Sequence, residues 1–113
     1  MNEEGKESIK YDERDNKLPW HLFPFVTVEE IVRVYQAGAK KYGPNRWQNL
    51  DDGYQRYKAA MIRHLCEYEK GNRVDKETGC LHLAQVAWNA IAMLFFDIMG
   101  KALFKDKFTR KND

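Results

Sequence analysis

The run LHLAQVAWNAIAMLFFDIM, Leu81 to Met99, constrains this chain more than any other segment. Leu81, Ala84, Trp88, Ile91, Phe95 and Ile98 recur at three-, four- and seven-residue intervals, the period of an α-helix and not of a strand. The stretch from Val86 to Met99 is apolar on more sides than one chain of this size can cover, which points to a partner helix from a second copy. It is too short to span a bilayer and is interrupted by Asn89 and Asp97. A buried helix from about Gly79 to Gly100 is expected.

Two further helices lie upstream. Thr27-Val28-Glu29-Glu30 has the pattern of a capping box, in which Glu30 reaches back to the Thr27 amide. Ile31, Val34, Tyr35, Gly38 and Tyr42 then mark an apolar face, and Gly43-Pro44 ends the helix. A second helix is expected from Asp51 or Asp52 to about Lys70, with Tyr57, Met61, His64, Leu65 and Tyr68 on one side and Gly71 as its stop. Asp75 or Thr78 is placed to cap the third. No strand pattern competes and no internal repeat is present. The 113 residues suffice for one modest domain. The prediction is an all-α fold: a small bundle of about three to four helices, completed by oligomerisation as a homodimer or homotetramer.

Residues 1–17 are polar and poor in hydrophobics, the composition of a flexible arm. Pro19 and Pro24 break KLPWHLFPF, while Leu18, Trp20, Leu22, Phe23 and Phe25 favour burial, so an extended strap across the helices is expected. The helical domain spans 18–103, and the tail 104–113 is expected to fray. The N-terminus has no apolar signal-peptide core. A cytoplasmic protein with reduced Cys66 and Cys80 is therefore expected.

Polar residues interrupt the packing surface. His82, Gln85 and Asn89 share one helical face, and His64 and Glu67 share another. Burying such groups unpaired costs about 1–3 kcal/mol each, so they pair with one another or with a ligand. A net charge of +2 (19 Lys and Arg, 17 Asp and Glu) argues against a nucleic-acid binder but leaves room for a small anion held by local cations. Lys41, Arg46 and Arg63 are available for phosphate oxygens, and Trp47 and Tyr42 for stacking on a base.

Two metal schemes follow from these residues. Two histidines and two cysteines match the ligand count of a structural zinc, but residues i and i+2 on a helix point about 200° apart, which separates His64 from Cys66 and Cys80 from His82. Glu29, Glu30, Glu67 and Asp75 are oxygen ligands suited to Mg²⁺ or Mn²⁺, with His64 or His82 joining them. Singly, each carboxylate has a plainer role as a cap or a solvated charge. The glycine-rich phosphate loops, the G-x-S-x-G elbow and a His-Asp dipeptide are all absent from the sequence.

The ordered motifs W-x-x-x-P-F (Trp20 to Phe25), T-V-E-E-I, GAKKYGPNRW and RHL…D-x-E-T-G-x-x-HLAQVAWNA resemble the phage dATP/dGTP diphosphohydrolase family over roughly Lys17 to Leu94. The resemblance implies a MazG-like all-α nucleotide pyrophosphatase whose sites are built in dimers or tetramers. The wider superfamily holds Mg²⁺ with E-x-x-E on one helix and E-x-x-D on a later one. Here His64-x-x-Glu67 and His82-x-x-Gln85 occupy comparable positions, with one carboxylate among the four. Glu30 and Asp75 are then expected to supply oxygens, with Glu29 in reserve. Another register makes Glu29, Glu30 and Arg33 the first motif and the His64–Glu67 pair the second.

The implied reaction is metal-dependent hydrolysis of dATP or dGTP to the monophosphate and pyrophosphate. Glu30, Glu67 and Asp75 would hold Mg²⁺ or Mn²⁺, and His64, Glu67 and His82 would be catalytic. Lys41, Arg46, Trp47, Arg63 and Asn89 would bind the nucleotide. No direct nucleic-acid or membrane partner is expected. The competing reading is a non-catalytic helical interaction module whose polar cluster is a structural network.

Overall fold

The computed structural model describes residues 17–111, and three α-helices dominate them. They are α1 (Val28–Tyr42), α2 (Gly53–Glu69) and α3 (His82–Ile98). Short 3-10 turns at Trp20–Leu22, Phe25–Thr27 and Arg46–Asn49 complete the regular structure. The all-α expectation holds: among the described residues extended pairing amounts to one isolated antiparallel bridge, Val74 with Leu81. No helix among them is long and apolar enough to cross a membrane.

Helices α2 and α3 form an antiparallel hairpin, with α1 against α3. The register is read from three levels. Gly53 at the start of α2 lies under the Phe96 ring near the end of α3, Tyr57 meets Trp88, and His64 meets His82. The middle is an aromatic hub in which Trp47 touches Tyr35, Trp88, Phe95 and Phe96 edge-on, with centroids 5.0–6.5 Å apart. Edge-to-face pairs of this kind stabilise by about 0.5–1.5 kcal/mol each beyond their area. The Tyr57 hydroxyl donates to the Trp47 carbonyl at 3.0 Å, tying α2 to the 3-10 turn.

Four local expectations are corrected. The capping box does not form: Thr27 is itself helical and its hydroxyl donates to the Pro24 carbonyl, the preceding turn having claimed it. Helix α3 begins at His82 rather than near Gly79. Gly79 is left-handed (φ 80°) and Leu81 is extended, because the Asp75 amide donates to the Cys80 carbonyl and the His82 amide to the Arg73 carbonyl, both at 2.8 Å. Neither Asp75 nor Thr78 caps that helix. The extended strap does not form: Pro19 and Pro24 each precede a 3-10 turn, and Leu18, Trp20, Leu22, Phe23 and Phe25 remain exposed.

The chain past Leu103 returns to α3 instead of fraying. The Phe108 amide donates to the Ile98 carbonyl at 2.8 Å, and Ala102 is buried. The arm expected over residues 1–17 lies, up to residue 16, outside the described residues.

Candidate functional site

The connector between α2 and α3 folds into a tight loop by the two backbone bonds that bracket Asp75 and His82. Its effect is to bring three chemically distinct side chains together. His64 projects from α2, half-buried, and His82 from the first turn of α3, 6% exposed. Their Nδ1 atoms are 2.9 Å apart, a hydrogen bond in which one nitrogen carries the proton and the other accepts. Asp75 joins them from the loop. One ligand-type atom from each of His64, Asp75 and His82 falls within 4.8 Å of the others, and among the described residues this is the one such group of three.

The Asp75 carboxylate is held from three sides. Oδ1 accepts the Glu77 amide at 3.0 Å, and Oδ2 accepts Gln85 Nε2 at 2.8 Å and the Thr78 hydroxyl at 3.2 Å. Thr78 Oγ1 in turn accepts the Cys80 amide at 3.1 Å. Asn89 Nδ2 donates to the Gln85 carbonyl at 2.7 Å. His82, Gln85 and Asn89, the buried polar residues of α3, are therefore each partnered within the chain, as burial requires.

Electrostatics favours ligand-ready forms. Burial lowers the His64 pKa below its ordinary value, with His82 adding to the effect, so the imidazole stays neutral. Burial works to raise the Asp75 carboxyl, but the bonds from Gln85, the Glu77 amide and Thr78 outweigh it and hold the group low. A neutral imidazole and an ionised carboxylate are the forms that bind divalent ions.

The other expected residues divide between this cluster and its surroundings. Glu67 lies one turn along α2 from His64, outside the group of three. It accepts Asn72 Nδ2 at 2.7 Å and Lys70 Nζ at 3.4 Å, and the Asn72 bond chiefly lowers its pKa. Glu30 is on α1, paired with Arg33 at 3.6 Å, and is not part of the group either. Lys41 pairs with Glu77 at 3.1 Å, fastening the end of α1 to the loop that carries Asp75. Arg63 is exposed beside His64, and its charge helps keep that imidazole neutral. Asn89 is buried, its amide NH₂ spent on the backbone. The thiols stay outside the cluster: Cys66 is exposed on α2, and Cys80 is buried but precedes α3, which corrects its expected place on that helix.

Arg46 and Trp47 line a cleft of about 740 Å³ between the end of α1, the 3-10 turn and the start of α2. Tyr35, Tyr42, Tyr57 and Trp88 form its aromatic walls, and Asn45, Asp51 and Arg56 add polar groups. Trp88 Nε1 is buried there without a hydrogen-bond partner. Sequence reasoning missed Arg56 and Asp51, whose lining role depends on tertiary placement. Asn45, at φ 62°, carried a signal in its position between Pro44 and Arg46, since Asn tolerates the left-handed turn. Thr78 was seen only as a possible cap.

A family model described as dATP/dGTP diphosphohydrolase, N-terminal, matches residues 7–107. A protein of Salmonella phage PMBT28 named dATP/dGTP diphosphohydrolase is 40% identical over 99 residues, covering 88% of this chain and 32% of the relative. The chain thus spans about a third of the length of the curated relative it matches. No solved structure matches.

Proposed function

The chain belongs to the dATP/dGTP diphosphohydrolase N-terminal family, and from that premise we propose that it hydrolyses purine deoxynucleoside triphosphates to the monophosphate and pyrophosphate with a divalent ion. The observation that carries this reading is the convergence of His64, Asp75 and His82 at the start of α3. The donor set, an oriented carboxylate and two imidazole nitrogens within 4.8 Å, fits a divalent ion. When bound, it would supply positive charge to the phosphate oxygens and make a nearby water more acidic.

The chain's own residues supply the remainder. Water attacks the α-phosphorus and pyrophosphate departs with the bridging oxygen. Glu67, one turn from His64 and electrostatically coupled to both histidines, is assigned the proton of that water. Its bonds to Asn72 and Lys70 keep it ionised, as a proton acceptor must be. Lys41 and Arg63 flank the cluster and offset phosphate charge. Arg46 and Trp47 belong to the aromatic cleft, whose size suits a base and sugar. Asn89 acts through α3, fixing the turn that carries Gln85. Glu30, paired with Arg33 on α1, has the weakest claim to the metal.

The test is a panel of the common dNTPs and NTPs with Mg²⁺ and with Mn²⁺, following pyrophosphate. dATP and dGTP should be cleaved fastest. Absence of pyrophosphate from every nucleotide would sink the proposal. The satisfied network of Asp75, Thr78, Gln85 and Asn89 favours a second reading, a non-catalytic interaction module. Added dGTP and metal ion should raise the melting temperature of the enzyme by mass action and leave such a module unchanged.

A further inference from the structure

Two of the three donors in the His64–Asp75–His82 cluster are imidazole nitrogens. Mg²⁺ is a hard ion that prefers oxygen donors and keeps its water reluctantly exchanged, whereas imidazole suits first-row transition ions. The nitrogens also lie close together. Bonds of about 2.1 Å to an ion place two ligands about 3.0 Å apart when they subtend 90°, and about 3.4 Å apart at the tetrahedral angle. The observed Nδ1–Nδ1 separation is 2.9 Å. As a hydrogen-bond length it fixes no coordination geometry, but it brings both nitrogens close enough for one ion to bridge them with little movement.

We infer that His64, Asp75 and His82 form an open site for a first-row transition ion such as Mn²⁺ or Co²⁺, preferred over Mg²⁺. The inference rests on the functional proposal above only for its biological purpose; the donor set and spacing stand without it. Ion binding at both Nδ1 atoms displaces the proton now shared between them to a distal Nε2, so the pair stays neutral overall. Gln85, Thr78 and the Glu77 amide already orient the third ligand, the role that partners of metal ligands commonly fill. The three ligands come from α2, the loop and the first turn of α3, which leaves the remaining positions for phosphate oxygens and water. No thiol belongs to the donor set.

The experiment is a calorimetric titration of the full chain with Co²⁺, Mn²⁺ and Mg²⁺, together with the visible spectrum of the Co²⁺ form. Expected are one ion per chain, Co²⁺ and Mn²⁺ each bound about tenfold or more tighter than Mg²⁺, and new visible absorption as Co²⁺ is added. His64→Gln should weaken Co²⁺ binding about tenfold or more while the helical circular dichroism is kept. Mg²⁺ binding as tight as Co²⁺, or unchanged Co²⁺ affinity in His64→Gln, would each overturn the inference. The Co²⁺ and Mg²⁺ affinities of the unmodified chain decide the preference even if the variant fails to fold. Co²⁺ binding as described in a chain that cleaves no nucleotide supports this inference and defeats the functional proposal. Nucleotide cleavage with Mg²⁺ and no Co²⁺ site does the reverse.

Discussion

At the scale of single residues, Asp75 depends on what surrounds it. Thr78 donates to its carboxylate and accepts the Cys80 amide, so one hydroxyl holds both a candidate ligand and the loop backbone. Thr78→Val keeps the shape and removes both bonds, along with the one Thr78 Oγ1 accepts from Gln85 Nε2 at 3.3 Å. It should cost about 1–3 kcal/mol in denaturant-induced unfolding, because the partners are left unpaired, and weaken ion binding by about 10–100-fold. The facing of His64 and His82 was legible in the sequence, since helical spacing places each on an inward face, and the 2.9 Å contact bears it out. The partners of the carboxylates were not legible. Glu30 has Arg33 within reach on its own helix and Glu67 has Lys70 and Asn72, and only tertiary register decides among local partners.

At the scale of elements, the α2–α3 hairpin has one end built for packing and the other for chemistry. A Cβ added at Gly53 would meet the Phe96 ring at 2.6 Å, so the helices approach here only because that residue is glycine. Gly53→Ala should destabilise by about 1–3 kcal/mol in chemical denaturation, from overpacking, and leave ion binding at the His64–His82 level unchanged, because that level lies at the opposite end of the hairpin. The existence of all three helices could be read from apolar spacing and the Gly43 and Gly71 stops. The start of α3 could not: the Val74–Leu81 bridge claims three residues that local pattern assigned to the helix. That shift puts His82 in the first turn, where unpaired amides and the helix dipole favour a neighbouring carboxylate and phosphate.

At the scale of the whole molecule, the apolar surface is larger than a lone subunit would leave in water. Leu83, Ile91, Leu94 and Ile98 are exposed along α3, and Ile62, Leu65 and Tyr68 along α2. Among the described residues no large side chain is fully buried. Contiguous exposure of this kind marks an interaction surface, and the proposal of a homodimer or homotetramer follows from it. Light scattering behind size exclusion should give at least twice the chain mass. Leu94→Lys, at 56% exposure, should shift the protein towards monomer without loss of helix content. A monomeric wild-type chain would contradict this part of the account.

The central claim joins the scales: the loop that packs α2 on α3 also assembles a hydrolytic site around Asp75. Its most direct test is pyrophosphate release from dGTP by the wild-type chain and by Asp75→Asn, each first shown to be folded by circular dichroism. The account predicts steady release by the wild type and a fall of about a hundredfold or more in the variant, equivalent to about 2.7 kcal/mol of transition-state stabilisation. Equal rates from two folded proteins would contradict it.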